Sequence, residues 1–300
     1  MHDETELDTS TSGAFSMTTA ITGATGNLGG LVVAALIDRG VAPADIVAVV
    51  RNADKAAALA ERGVVVRVAD YSDTDALTSA FAGVEKVLLI SGSEVGQRIA
   101  QHNNVIDAAE AAGVGLVAYT SVLAADTSGI SLAPEHKATE ERLTASPIPA
   151  VFLRNGWYWE NYLGSLGQAI DSGVWLGAGG NGRIAAASRA DYAAAAAAVL
   201  TLENQGGKIY ELGGDERLTY AELADVLAGI SGKPVVYKDV TESEYASILQ
   251  GAGLPDFVAT MLASADAGIS RGELDTDSGD LQALIGRASA PVAEVFRSAI

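Results

Sequence analysis

Thr22-Gly23-Ala24-Thr25-Gly26-Asn27-Leu28-Gly29-Gly30 is the stretch from which the rest of the chain can be laid out. It lies between an apolar run, Thr18 to Ile21, and a segment from Leu28 to Arg39 that carries Leu31, Val32, Ala35 and Leu36 on one helical face. Glycines leave no side chain between backbone N–H groups and an anion. A helix opening near Asn27 points the positive end of its dipole at that anion. Glycine at every third position also serves plain tight turns, so the loop alone is a weak signal. The strand before it, the helix after it and a second apolar run, Ile46 to Val50, at βαβ distance make it a pyrophosphate loop. Gly23, Ala24, Thr25, Gly26, Asn27 and Leu28 are therefore the first candidate cofactor contacts.

Arg51 ends the second apolar run, where a dinucleotide fold places the residue facing the adenosine ribose. An Asp or Glu there accepts from a 2′-hydroxyl, whereas an Arg receives a 2′-phosphate, so NADP(H) is expected over NAD(H). Lys55, four residues on in a helix, would add a second positive charge, although a solvated lysine reads the same way.

Strand and helix signals alternate from Met17 onward. Strands are expected at 18–21, 46–50, 64–68, 86–90, 116–120 and 150–153, with helices between them ending at Gly40, Gly63, Gly83 and Gly113. Continuous Val/Ile/Leu strands separated by helices predict a parallel sheet covered on both faces, a Rossmann-type doubly wound α/β fold. Ligands collect beyond the carboxyl ends of such strands. That places Asp70-Tyr71, Ser91-Gly92-Ser93, Thr120, and Asn155-Gly156 among the candidate cofactor residues. Asp70 suits the adenine amino group or, equally, a cap for the helix from Asp73 onward. Asn155 and Gly156 are expected near the nicotinamide amide.

The formal charge is −19, from 38 acidic and 19 basic residues, which repels nucleic-acid phosphates over the surface as a whole. No apolar run is long enough to span a bilayer. Cysteine is absent, which removes thiolate chemistry and fits a reducing cytoplasm; with only His2, His102 and His136 scattered along the chain, no metal site is expected. Residues 1–16 are acidic and Ser/Thr-rich and are expected to form a flexible tail. Residues 17–154 should form the nucleotide-binding domain, and 155–300 mainly a C-terminal substrate lobe with segments returning to the first domain. A homodimer is left open.

In the second half, Gly177 to Gly182 reads as a turn followed by a strand over 183–187, and Asp191 starts an alanine-rich helix to Leu202. Thr219-Tyr220-Ala221-Glu222 is a capping box for a helix to Ile230. The acidic stretch from Asp266 to Asp280 reads as a surface loop whose spacing lacks a calcium pattern.

Taken together, Thr22 to Gly29, Val50-Arg51-Asn52, Leu89-Ile90-Ser91, Glu94-Val95-Gly96-Gln97-Arg98, Tyr119-Thr120-Ser121 and Arg154-Asn155-Gly156-Trp157-Tyr158 resemble the NmrA-like group of atypical short-chain dehydrogenases/reductases. Within it the likeness is strongest to the bacterial NAD(P)H:quinone oxidoreductases of type 2. It runs from Thr18 nearly to the C-terminus, including Ala187 to Tyr192 and Gly253 to Asp256. The resemblance implies a flavin-free, metal-free enzyme that passes hydride from NADPH to a quinone in a cleft between the two parts. Ser121 falls in the family's serine region. The Tyr-x-x-x-Lys pair of ordinary short-chain reductases is missing, and His136 and Glu140 stand in its place.

That departure suits a quinone, because the hydroquinone monoanion formed on hydride arrival needs only water or a weak donor, whereas a ketone becomes a basic alkoxide. His136 could donate with an ordinary pKa or be an exposed helix-start residue; Glu140 reads as solvated. Of the aromatic cluster after the sixth strand, Trp157 and Tyr158 are candidates to line the acceptor cavity, while Trp159 and Tyr162 are expected to pack between lobes. Gln97 and Asn161 are candidate polar contacts to the acceptor. A carbonyl or imine reductase and a catalytically silent NADP sensor are the alternative functions.

Overall fold

The structure is a computed structural model and describes residues 17–94 and 96–300, so the acidic segment expected to be a tail lies outside the described residues. The first half alternates β1 (Thr19–Thr22), α1 (Gly29–Asp38), β2 (Ile46–Val50), α2 (Ala57–Glu61), β3 (Val65–Val68), α3 (Thr74–Ala80), β4 (Lys86–Leu89), α4 (Arg98–Ala112), β5 (Leu116–Val122), α5 (Ala133–Thr144) and β6 (Ala150–Asn155). These six strands fall where the apolar runs place them. They pair in parallel in the order β3-β2-β1-β4-β5-β6, so the order reverses between β1 and β4. In an open parallel sheet a ligand crevice lies at such a reversal, outside the carboxyl ends of the strands.

The second half supplies α6 (Leu163–Ser172), β7 (Val174–Gly177), α7 (Arg189–Thr201), β8 (Ile209–Leu212), α8 (Tyr220–Ser231), β9 (Val236–Asp239), α9 (Glu242–Gly251), α10 (Asp256–Ser270), α11 (Asp280–Ile285) and α12 (Val292–Arg297). Two of these return to the first half. Strand β8 adds to β6 as a seventh parallel strand, and α7 packs its buried alanines, Ala193 and Ala195 to Ala198, beside α1 on one face of the sheet. Small side chains let that helix approach the strands closely. Helices α3, α4 and α5 cover the other face through Leu77, Val105, Ile106 and Leu143. The remaining elements surround a separate aromatic core of Trp157, Trp159, Tyr162, Trp175, Tyr220 and Phe296, with β7 and β9 as a two-stranded parallel sheet.

Three features differ from the sequence reading. Residues 183–187 are not a ladder strand; they make only isolated bridges, Ile184 to Leu218 and Tyr158 to Ala187. The seventh strand, Ile209–Leu212, escapes a hydrophobic scan because it is an edge strand, with Ile209 half exposed. The stretch from Asp266 is no surface loop at its start, for α10 runs through Ser270 and Asp266 is buried. Its carboxylate accepts from the Tyr220 hydroxyl at 2.6 Å and the Ala178 N–H at 2.9 Å, and burial pushes its pKa up to about 7. A helix surfaced by Ala, Ser and Gly carries little apolar signal. Among the described residues no helix is long and apolar enough to cross a membrane.

Candidate cofactor and acceptor site

At the carboxyl ends of β1 to β4 lies a cavity of about 470 Å³. The glycine loop forms its base. Gly23 takes φ +59, which an L-residue side chain disfavours, and a Cβ on Gly29 would stand 2.7 Å from Ala24 Cα. Both positions need glycine, and α1 then starts beside the cavity. Gly23, Thr25, Gly26, Asn27, Leu28, Arg51, Lys55, Asp70, Tyr71, Ser91, Gly92 and Ser93 all line it, so twelve of the sequence-derived cofactor candidates are brought to one place. Ala24 is buried behind the loop.

The walls have separate jobs. Tyr71 crosses from β3 to place its hydroxyl 2.5 Å from Thr22 Oγ1 and 2.9 Å from the Ile90 carbonyl oxygen, bracing three strand ends. Burial raises its pKa above the usual phenol range. Asp70 accepts from the Ser72 hydroxyl at 2.5 Å and the Ser72 N–H at 2.8 Å, and those bonds hold its carboxyl below the ordinary value. The cap of α3 is Asp73, not Asp70. Arg51 stays exposed and donates to Glu94 at 2.9 Å.

The loop after β4 is pinned from behind. The Ser91 N–H donates to Thr120 Oγ1 at 2.9 Å, and Arg98 Nε donates to the Gly92 carbonyl at 2.6 Å. The Gly92 N–H donates to His102 Nε2 at 3.0 Å, which leaves Nδ1 to donate to Thr139 Oγ1 at 2.9 Å. Burial, with help from the Arg98 charge, lowers His102 to about 4, so it holds this loop as the neutral imidazole. Glu135 accepts from the Gly96 N–H at 2.9 Å. The sequence reading passed over His102 and Glu135. Their only signal is position, for His102 lies four residues after Arg98 on α4 and so shares its face.

At the carboxyl end of β5, alternation directs Tyr119 and Ser121 to the face covered by α5. The Tyr119 hydroxyl and His136 Nδ1 are 2.7 Å apart, and both residues are buried. Burial lowers His136 to about 3, which corrects both expectations for it: it has no ordinary pKa and it is not an exposed helix start. Glu140, expected in solvent, is buried one turn further along α5 and makes two bonds to Arg154, 3.0 Å to Nε and 2.6 Å to Nη2. Arg154 also reaches Asp126 at 2.9 Å and Glu211 at 2.8 Å; its pKa is raised, chiefly by Glu140. Glu211 in turn accepts from the Ala124 N–H at 3.0 Å, holding Ala124 at φ +48 in the loop that leaves β5. A left-handed alanine needs such support.

The remaining acceptor candidates are placed less centrally. Trp157 packs in the aromatic core of the second half with Trp159 and Tyr162. Tyr158 is half-buried, stacked under the Arg189 guanidinium at 4.9 Å, and its hydroxyl accepts from Asn155 Nδ2 at 3.2 Å. Gln97 precedes α4 with no capping bond from its side chain and does not line the cavity, where Gln101 stands instead, and Asn161 accepts from Arg189 at 2.8 Å. Gly156 owes its identity to packing, since a Cβ there would meet the Ala185 and Leu212 carbonyls at 3.0 and 3.1 Å.

Two buried polar atoms at the carboxyl ends of β5 and β6 have no hydrogen-bond partner among the described residues, Ser121 Oγ and Asn155 Oδ1. An unpaired buried polar atom is costly unless a ligand completes it. A nicotinamide carboxamide offers an N–H donor for Asn155, whereas Ser121, on the opposite face of the sheet, calls for a separate acceptor oxygen. With the glycine loop and Arg51, Asn155 fits NADPH.

A model of the NmrA-like family matches residues 16–274. Quinone oxidoreductase 2 of Escherichia coli K12 is 54% identical over 275 residues, 92% of this chain and 96% of that protein. The crystal structure of an NADPH-dependent quinone oxidoreductase from E. coli complexed with NADPH has a TM-score of 0.91 at 53% identity, covering 93% of this chain and 99% of that one. The Citrobacter sp. triphenylmethane reductase complexed with NADP(H) has a TM-score of 0.90 at 41% identity, covering 94% and 100%. Matched over most of its length by the family model and by a relative more than half identical to it, this chain belongs to the NmrA-like family.

Proposed function

We propose that the protein is an NADPH-dependent reductase that passes hydride to a quinone, with the nicotinamide as its only redox group. When bound, NADPH supplies the hydride. The glycine loop and the N-terminus of α1 receive the pyrophosphate, Arg51 and Lys55 the 2′-phosphate, and Asn155 the carboxamide. Residues 17–154 act as the nucleotide-binding part and 155–300 mainly as the acceptor lobe, with α7 and β8 returning to the sheet. The missing cysteines favour a cytoplasmic setting, and a homodimer is carried forward with it.

The observation that carries this reading is the state of His136. It occupies the position of the usual tyrosine acid, yet burial keeps it neutral at pH 7 and Tyr119 engages its Nδ1. An acceptor on this floor must tolerate hydride without a strong acid beside it. A quinone does so, because its adduct is a stabilised hydroquinone monoanion that water can protonate. The residues then contribute position, which is worth a large share of a bimolecular barrier.

A second reading draws on the Citrobacter relative. A triarylmethyl cation takes hydride to become neutral and needs no proton at all, so the same floor serves it, and a chain of charge −19 attracts a cation. Stopped-flow oxidation of NADPH with a small benzoquinone, in chelator, tests the first reading. Turnover is expected, with no flavin absorbance in the purified protein. Tight NADPH binding with no turnover on quinones, triarylmethane dyes, carbonyls or imines replaces the enzyme with an NADP sensor.

A further inference from the structure

We propose that Glu94 is a built-in competitor for Arg51 that the 2′-phosphate of NADPH must displace, which makes Glu94 a determinant of cofactor affinity and choice. The proposal rests on the NADPH reading above. Strands β2 and β4 flank β1 on opposite sides. Arg51, just beyond β2, and Glu94, beyond β4, therefore stand on opposite rims of the glycine-loop cavity that both line. Their contact of 2.9 Å bridges it. The other oxygen of Glu94 accepts from Gln101 Nε2 at 2.9 Å, so the carboxylate is held facing across the cavity. On its N-terminal side Ser91 and Gly92 are anchored by Thr120 and His102.

The pair is weak by construction. The side chains of Arg51 and Glu94 are 66% and 48% exposed, and exposed pairs of this kind contribute little. A phosphomonoester brings more charge and two oxygens to a planar guanidinium, so it wins the exchange. A 2′-hydroxyl cannot, and NADH leaves the bridge in place. Glu94 then limits how tightly the phosphorylated cofactor is held, which eases departure of the oxidised form where release is slow.

Calorimetric titration of the full chain with 2′,5′-ADP and with 5′-ADP tests this without involving the acceptor side. Glu94→Gln is expected to bind 2′,5′-ADP about two- to fivefold tighter, the scale of an exposed ion pair, with 5′-ADP changed by less than about 1.5-fold. In an Arg51→Gln background the gain should vanish, because no cation is left to release. Unchanged or weaker binding of 2′,5′-ADP by Glu94→Gln, equal tightening of both ligands, or a gain that survives without Arg51 overturns the competitor role while the NADPH reading stands. Wild-type protein that binds 2′,5′-ADP no better than 5′-ADP overturns both.

Discussion

The rim around the glycine loop and the floor at the carboxyl ends of β5 and β6 are made of different material. The rim is backbone and exposed charge: a glycine loop, strand ends, and Arg51, Lys55 and Glu94 in contact with water. The floor has a buried centre, with His136 against Tyr119 and Arg154 paired to Glu140, and Arg154 reaches out from it to the more exposed Glu211 and Asp126. Exposed charges exchange partners at little cost, which is what recognition of a diffusing cofactor needs. Buried ones do not, so they hold geometry instead. The two regions should therefore respond to mutation in different currencies, one in affinity and the other in stability.

The largest effect is expected from Arg154→Met, which leaves Glu140 buried without its cation and should cost about 3–5 kcal/mol in urea unfolding. Adding Glu140→Gln should recover a large part. If the separation holds, NADPH affinity stays within about twofold of wild type in the folded variant. A collapse of NADPH binding would show that rim and floor are one unit.

Arg51→Asp should do the reverse. NADPH binding weakens by about 1.5–3 kcal/mol as charge-assisted contacts are lost, NADH binding changes far less, and the unfolding midpoint is unmoved. Equal loss for both nicotinamides removes the basis for preferring the phosphorylated one.

Acidity divides the molecule along another line. His102 and His136 are proton-free in the fold down to about 4 and about 3, while the unfolded chain protonates histidine near 6.5. The unfolded state thus binds more protons in between, and each histidine removes up to about 1.4 kcal/mol of stability per pH unit as pH falls through that window. Asp266 acts oppositely: its folded pKa of about 7 lies above its ordinary 3.8, so its contribution is lost as pH rises from 4 to 7. Asp266→Asn should therefore gain about 2 kcal/mol relative to wild type on going from pH 5 to pH 8. Urea midpoints across pH measure this, and parallel curves for the two proteins would mean Asp266 titrates normally.

The smallest change is expected from Ser121→Ala. Removing a buried hydroxyl that has no protein partner relieves its desolvation penalty, so stability without ligand should hold or rise, by about 1 kcal/mol at most. Acceptor kcat/KM should fall by up to about tenfold if that hydroxyl meets the acceptor. A large stability loss with unchanged kinetics would give Ser121 to the fold.

Legibility followed the same division. Gly23, Gly29 and Arg51 act through local backbone and strand-end position, which the residue spacing already encodes. His136 and Glu140 could be numbered from the sequence but not judged, because their protonation and pairing depend on Tyr119, Arg154 and the depth of α5 beneath the surface. Arg154 takes a partner 57 positions away in the chain, and no local pattern announces it.

What the residues alone determined is the parallel doubly wound sheet, the phosphate loop at its switch point and the choice of a cation beyond β2. Those depend on 2- and 3.6-residue periodicities and on the absence of a Cβ, which are properties of short segments. Only the tertiary structure decided which titratable groups are charged, since that is set by desolvation and by neighbours distant in the chain. The buried Asp266, the neutral His136 and the Glu94 bridge across the cavity all belong to that second kind of information.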